Sequence, residues 1–209
     1  MIITIENYPK KYLEMIYTAG RNCYGIQDAA KTIEPVWFAL KNFAQMLINK
    51  GHESVLEHIC VSVYTKDASR SFLAQITRHR LVSYSVKSQH YVRHDDFKYK
   101  ELENYGNWPH ITLKGDFHAL MAKTNAMYQR LINNGVPHYI AREVLPNACL
   151  TDIYMTANVR EWRHIIKMRI GDENTPEIQE FAQVLLRELY LQMPELFEDM
   201  RDEYFPAGE

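Results

Sequence analysis

The chain has 209 residues, 46% hydrophobic and 24% charged, with 24 Lys plus Arg against 26 Asp plus Glu for a formal net charge of −2. That apolar content suffices for a folded core and excludes a disordered chain, while the slight acidity excludes a protein that coats nucleic acid through bulk positive charge. Only three cysteines occur, Cys23, Cys60 and Cys149, far apart and without a CxxC pair, which argues against a disulfide framework and for a reducing compartment.

The N-terminal stretch MIITIENYPKKYLEMI lacks the cationic and long apolar regions of a signal peptide. No run approaches the ~18–20 apolar residues that cross a bilayer, so the cytoplasm, with no membrane contact, is the expected location. Ile2-Ile3-Thr4-Ile5 predicts a first strand. Pro9 opens a helix reaching about Gly20, with Leu13, Ile16 and Tyr17 at helical spacing. A second helix runs from near Pro35 to before Gly51, its apolar face carrying Val36, Leu40, Phe43 and Leu47. From Ile59 to Tyr64, Ile59, Val61 and Val63 alternate with polar neighbours, the mark of a strand with one buried face. Ser69 or Asp67 is placed to cap a helix running into Thr77. Residues 80–114 read as a long, aromatic, irregular excursion, of the kind more often functional than decorative. Asp116 would cap a helix stopped by Asn133-Asn134-Gly135, and Pro137 begins a short helix broken at Pro146. Thr151, Ile153 and Met155 predict a further strand, followed by a helix from about Asn158 to Gly171. A last major helix runs from Thr175 to before Pro194. Without repeats or flexible linkers, one α+β domain over residues 1–209 is the expectation.

The stretch RHRLVSYSVKSQHYVR (78–93) stands apart. No Asp or Glu occurs from Ala68 through His94, a window holding Arg70, Arg78, Arg80, Lys87 and Arg93 as well as three histidines. Unopposed guanidinium groups repel one another, so such a window is either a solvated basic face or a site that binds an anion. Four of the five cations are Arg, whose planar fork grips phosphate with two hydrogen bonds, and Ser83, Ser85 and Ser88 are interleaved with them. Both details favour a phosphorylated small molecule.

A second cationic segment, NVREWRHIIKMR (158–169), places Arg169 on the helical face of Trp162, Ile165 and Ile166. A charge on an apolar stripe is costly unless paired or functional, leaving a buried glutamate partner or a ligand as the two readings. GHESVLEH (51–58) has neither HExxH nor HxxEH spacing, so no metal site is expected, and neither a Walker loop nor GxGxxG appears.

Arg78-His79-Arg80 followed after seven residues by Ser88 resembles the RHR-x7-S signature of flavin-dependent thymidylate synthases, the ThyX family. GHESVLEH, AREVLP (141–146), TANVREW (156–162) and KMR (167–169) resemble other segments of that family, so the similarity covers nearly the whole chain. The resemblance implies a central, mostly antiparallel sheet flanked by helices. It implies reductive methylation of dUMP to dTMP, with FAD as cofactor, methylenetetrahydrofolate as carbon donor and NADPH as reductant. Ser54, Arg78, His79, Arg80, Asn158, Arg160 and His164 would contact FAD, with His164 standing where an asparagine is frequent. Gln75, Arg78, Ser88, His90, Arg142 and Arg169 would hold dUMP, and Arg169 would be catalytic, facing the uracil base near N3. A homotetramer with active sites shared between subunits is implied as well.

His90 departs from the family pattern, which has an arginine for the nucleotide phosphate there. A histidine is shorter, offers fewer donors and loses its charge near neutral pH, so weaker or more pH-dependent dUMP binding is expected unless Lys87 or Arg93 compensates. Another pyrimidine nucleotide, such as UMP, is the alternative substrate. From a different class, the basic aromatic loop would serve a nucleic-acid-binding module, a reading that leaves Arg169 on an apolar face unexplained.

Overall fold

The computed structural model describes residues 1–23, 25, 36–94, 97–102 and 113–206. Four strands form one antiparallel sheet in the order β1-β2-β4-β3, with β1 at Ile2–Asn7, β2 at Cys60–Ser69, β3 at Ser83–Val86 and β4 at Leu150–Asn158. The period-2 pattern of the central strands sets their covered face. Val61, Val63 and Thr65 of β2 and Thr151, Ile153, Met155 and Ala157 of β4 are buried, while Cys60, Lys66 and Tyr154 between them are exposed.

Strand β2 continues past the predicted end at Tyr64 by way of a bulge. Asp67 sits there with φ 59°, in the left-handed region that Asp tolerates better than most residues. Asp67 therefore caps no helix, and its N–H donates to Asp152 Oδ1 at 3.2 Å. Ser69 is the cap, its Oγ accepting the Phe72 N–H at 2.9 Å.

The helices are α1 (Tyr12–Cys23), α2 (Trp37–Asn49), α3 (Arg70–Ile76), α4 (Lys114–Asn133), α5 (His138–Ala141), α6 (Val159–Arg169), α7 (Pro176–Gln192) and α8 (Pro194–Tyr204). The architecture is α+β, as the sequence predicts. Helix α7 is the central support: Ile178, Phe181, Ala182, Leu185, Leu186 and Leu189 recur at three- and four-residue steps and are all buried. Covering such a stripe stabilises by on the order of 10 kcal/mol before chain entropy is counted. One contiguous core extends from Ile3 to Met200. Two glycines end helices as predicted. Gly51 (φ +71°) and Gly135 (φ +82°) let the next N–H groups, on His52 and Val136, return to the carbonyls of Leu47 and Leu131, closing the last turns of α2 and α4.

Several boundaries differ from expectation, each for a local reason. The first helical bond runs from Met15 N–H to the Lys11 carbonyl, so α1 starts at Tyr12 and not Pro9. Val36 has extended backbone at the N-cap of α2, which throws its side chain off the helical stripe and leaves it 77% exposed. Phe43 is half-buried and Ala44 completes the covered face. Pro35 lies outside the described residues, as do 95–96 and 103–112 of the expected irregular excursion. Within that excursion β3 is a regular strand. Its Ser-Tyr-Ser-Val alternation turns Tyr84 and Val86 toward the core, but four residues are too short a run to mark a strand within the basic segment. Asp116 lies inside the first turn of α4, where it still complements the helix dipole. Among the described residues there is one helix more than expected: Pro194 ends α7 yet occupies the first turn of α8, where its missing N–H is no loss.

Candidate active site

The RHR segment is held by the turn after α3. Arg78 N–H bonds the Gln75 carbonyl at 3.2 Å and His79 N–H bonds that of Ile76 at 3.1 Å. The Tyr84 hydroxyl lies 2.6 Å from the Ile76 carbonyl and 2.9 Å from that of His79, pinning the turn from β3. Burial, with the Glu161 charge second, pushes this phenol up to about 12, so it stays a donor at physiological pH. The turn points Arg78 and Arg80 outward and buries His79, which is 7% exposed.

Helix α6 supplies the opposite wall. Asn158 caps it, Oδ1 accepting the Glu161 N–H at 2.9 Å. Trp162, Ile165 and Ile166 anchor its apolar face, and the Trp162 indole donates to the Val61 carbonyl at 3.1 Å. Arg169 ends the helix on that same face, half-buried. Its Nε–H donates to His79 Nε2 at 3.0 Å and its Nη1 reaches Asn174 Oδ1 at 3.4 Å. On the far side of the imidazole, Nδ1 lies 3.7 Å from Glu161 Oε1. The buried glutamate partner considered for Arg169 is thus one ring away, with His79 between. Burial, then the Arg169 guanidinium and His164, push the His79 imidazole down to about 4. Burial also raises the Glu161 carboxyl above its usual range.

Gln75 meets Thr175, with Nε2 3.1 Å and Oε1 3.2 Å from Thr175 Oγ1, beside the Asn174 that touches Arg169. Next to this cluster opens a cleft of about 590 Å³ whose lining includes Glu53, Leu81, Asn158, Arg160, His164 and Lys167. His164 also approaches His79 edge-to-face, with ring centres 5.9 Å apart. Arg160 Nη1 is held by Glu57 Oε1 at 2.5 Å. Ser54 is exposed on the short 3-10 helix Glu53–His58, next in chain to the cleft residue Glu53. The cations Arg160 and Lys167, with Asn158 beside them, suit an extended phosphate-bearing cofactor, while Glu53, Glu57 and Glu161 share the lining and Glu57 already holds Arg160.

Ser88 and His90 form a second group, and Arg142 lies just beyond α5, the helix that touches His90. Ser88 Oγ accepts the His90 N–H at 3.0 Å. The His90 carbonyl meets His138 Nε2, and its ring faces Tyr139 at 5.2 Å. Arg142, half-buried, places Nε 3.6 Å from Glu143. Strand β3 separates the two groups. It pairs Ser83 with Thr156 near α6 and Val86 with Ile153 toward the other end of β4, and four residues span about 13 Å. Among the described residues no hydrogen bond or ion pair joins the second group to Arg169.

Sequence reasoning missed Glu161, Asn174 and Thr175. Glu161 stands three residues after Asn158, an ordinary place for a glutamate, and only the fold shows it turned toward the core. Asn174 and Thr175 lie in a polar loop with no periodicity to mark them.

The family described as "Thymidylate synthase complementing protein" (Thy1) matches residues 4–195, and the chain belongs to it. This bears out the resemblance carried by the RHR-x7-S segment. Among its relatives, the "Probable flavin-dependent thymidylate synthase" of Mycobacterium phage L5 is 33% identical over 206 residues, covering 90% of this chain and 81% of that protein. The "Flavin-dependent thymidylate synthase" of Pyrococcus furiosus is 30% identical over 199 residues, covering 90% and 78%. That of Mycobacterium tuberculosis is 34% identical over 198 residues, covering 88% and 78%.

Proposed function

We propose that this chain is a flavin-dependent thymidylate synthase that methylates dUMP at C5, taking a methylene carbon from methylenetetrahydrofolate and two electrons from NADPH. Arg169 carries the reading. It is a half-buried guanidinium held by a neutral imidazole nitrogen and an amide oxygen, with no carboxylate within ion-pair range among the described residues. Its charge is therefore left for a ligand. C5 of uracil is a poor nucleophile. A fixed guanidinium near N3 and the carbonyls stabilises negative charge on the ring and raises electron density at C5, a contribution of about 3–4 kcal/mol for one preorganised donor. Bound FAD would supply the reducing equivalents and take part in carbon transfer.

The roles of the other residues follow from the two groups. Ser54, Arg78, His79, Arg80, Asn158, Arg160 and His164 would hold FAD along the cleft. Gln75, Arg78, Ser88, His90 and Arg142 would hold the nucleotide, with His90 and Arg142 at its phosphate. Since β3 keeps Ser88 away from Arg169 within one protomer, a homotetramer whose sites join groups from different subunits brings the set together. Exposed Leu113, Leu120 and Met127, seven residues apart at the head of α4 and along it, supply an apolar stripe for such contacts. The 209 residues would work as one cytoplasmic domain, and no described helix is long and apolar enough to cross a membrane.

Tritium release from C5-labelled dUMP, measured with FAD, NADPH and methylenetetrahydrofolate and compared with labelled UMP, tests this. Release from dUMP that disappears in Arg169→Ala is expected; release from UMP alone reassigns the substrate. Protein that stays colourless with added FAD yet shifts an oligonucleotide in a salt-dependent way would replace the enzyme reading with nucleic-acid binding.

A further inference from the structure

Glu161 has a buried carboxylate that the proposed reaction does not use. It is 8% exposed, and among the described residues its one partner within ion-pair range is His79. Its backbone N–H completes the Asn158 cap, but its side chain takes no part in that cap. A buried carboxylate whose one close partner is a neutral imidazole is costly to keep, so its position calls for a reason.

The imidazole supplies one. Arg169 is always charged and can only donate, so the nitrogen that meets its Nε–H must be bare. The single proton of a neutral His79 then belongs on Nδ1, the nitrogen 3.7 Å from Glu161 Oε1. A negative charge on that side favours this tautomer, whereas the alternative would aim an N–H at the guanidinium. We propose that Glu161 is a positioning residue: its carboxylate keeps the His79 proton on Nδ1, Nε2 therefore accepts from Arg169, and the guanidinium holds one aim toward the nucleotide base.

The consequence for turnover rests on the proposed reaction, but the location of the proton does not. ¹⁵N-histidine NMR of the full chain at neutral pH reads the tautomer directly, with the His79 signals assigned by their loss in His79→Asn. The wild type is expected to show a protonated Nδ1 and a bare Nε2, and Glu161→Gln a mixture or the reversed tautomer. A wild-type spectrum with the proton on Nε2, or one that Glu161→Gln leaves unchanged, overturns the proposal. Should Glu161→Gln fail to fold, Glu161→Asp, which keeps the charge but draws it back from Nδ1, gives the same comparison, and an unchanged spectrum there overturns the proposal. In turnover, Glu161→Gln should lower kcat about 10–100-fold with little change in the KM for dUMP, the loss typical of removing an orienting partner. Combined with His79→Asn it should add nothing further; additive losses would reduce Glu161 to a structural role and sink the idea. An expected spectrum from a wild type that releases no tritium would reject the reaction while leaving the positioning role intact.

Discussion

Two arginines lie six residues apart on α6 and meet opposite fates. Arg163 is 1% exposed and donates from Nη1 and Nη2 to Asp199 at 2.8 and 2.5 Å and to the Leu196 carbonyl at 2.5 Å, with Glu53 3.5 Å from its Nε. Burial alone would raise the Asp199 carboxyl, but the Arg163 hydrogen bonds and charge overcome it and hold the carboxyl below its ordinary range. Arg169 meets only neutral partners. The first arginine is neutralised and ties α6 to α8 and to the Glu53–His58 turn. The second keeps its charge at the mouth of the site. Burial thus separates the two less sharply than the charge state of their partners, since a guanidinium already matched to a carboxylate has little left for a ligand.

The largest effect should come from Arg163. Replacing it with Ala leaves the buried Leu196 carbonyl without its donor and vacates core volume, while the exposed Asp199 carboxylate turns to water, so about 2–3 kcal/mol of stability should be lost in chemical denaturation. A loss under 1 kcal/mol would erase the distinction. Arg169→Ala should do the reverse, cutting tritium release about 10²–10³-fold while moving stability by under about 1 kcal/mol. Equal destabilisation by both substitutions would make Arg169 another strut.

Acid separates the same two regions. The folded His79 value, about 4, lies below the ordinary 6.5 of the unfolded chain. Between those values the unfolded chain binds a proton that the folded one refuses, so stability is full above pH 6.5 and falls as pH drops toward 4. The loss is on the order of 3 kcal/mol. The Asp199 contribution is present above its ordinary 3.8 and is lost only as pH falls below that. A His79→Gln variant should therefore flatten the stability profile between pH 6.5 and 4, and Asp199→Asn the part below; no change in the first window would reject a buried neutral His79. The smallest effect is expected at the rim. Glu57→Ala breaks an exposed pair with Arg160 and should cost under 1 kcal/mol of stability, while freeing Arg160 to bind FAD more tightly in a flavin titration.

Much of the frame was legible from the sequence because it is local. Alternation in β2 and β4, the apolar stripe of α7, Asn158 ahead of α6 and the glycines after α2 and α4 each state a backbone period or a φ that only certain residues satisfy. The edge strand β3 and helix α8 were not read from the sequence, because β3's alternation lasts only four residues inside a basic segment and a proline that stops one helix can start the next. Within the candidate site, the RHR segment and Arg169 stood out as charges without counterions or on an apolar face. Glu161 did not, since a glutamate on a helix is ordinary until its surroundings are known.

The sequence by itself determined the strand faces, the helix stops and the two cationic segments, all properties of residues a few positions apart. Only the tertiary structure decided that Arg163 is spent on Asp199 while Arg169 rests on His79, 90 residues away. Pairing across such separations depends on which buried surfaces meet, and no local period records that.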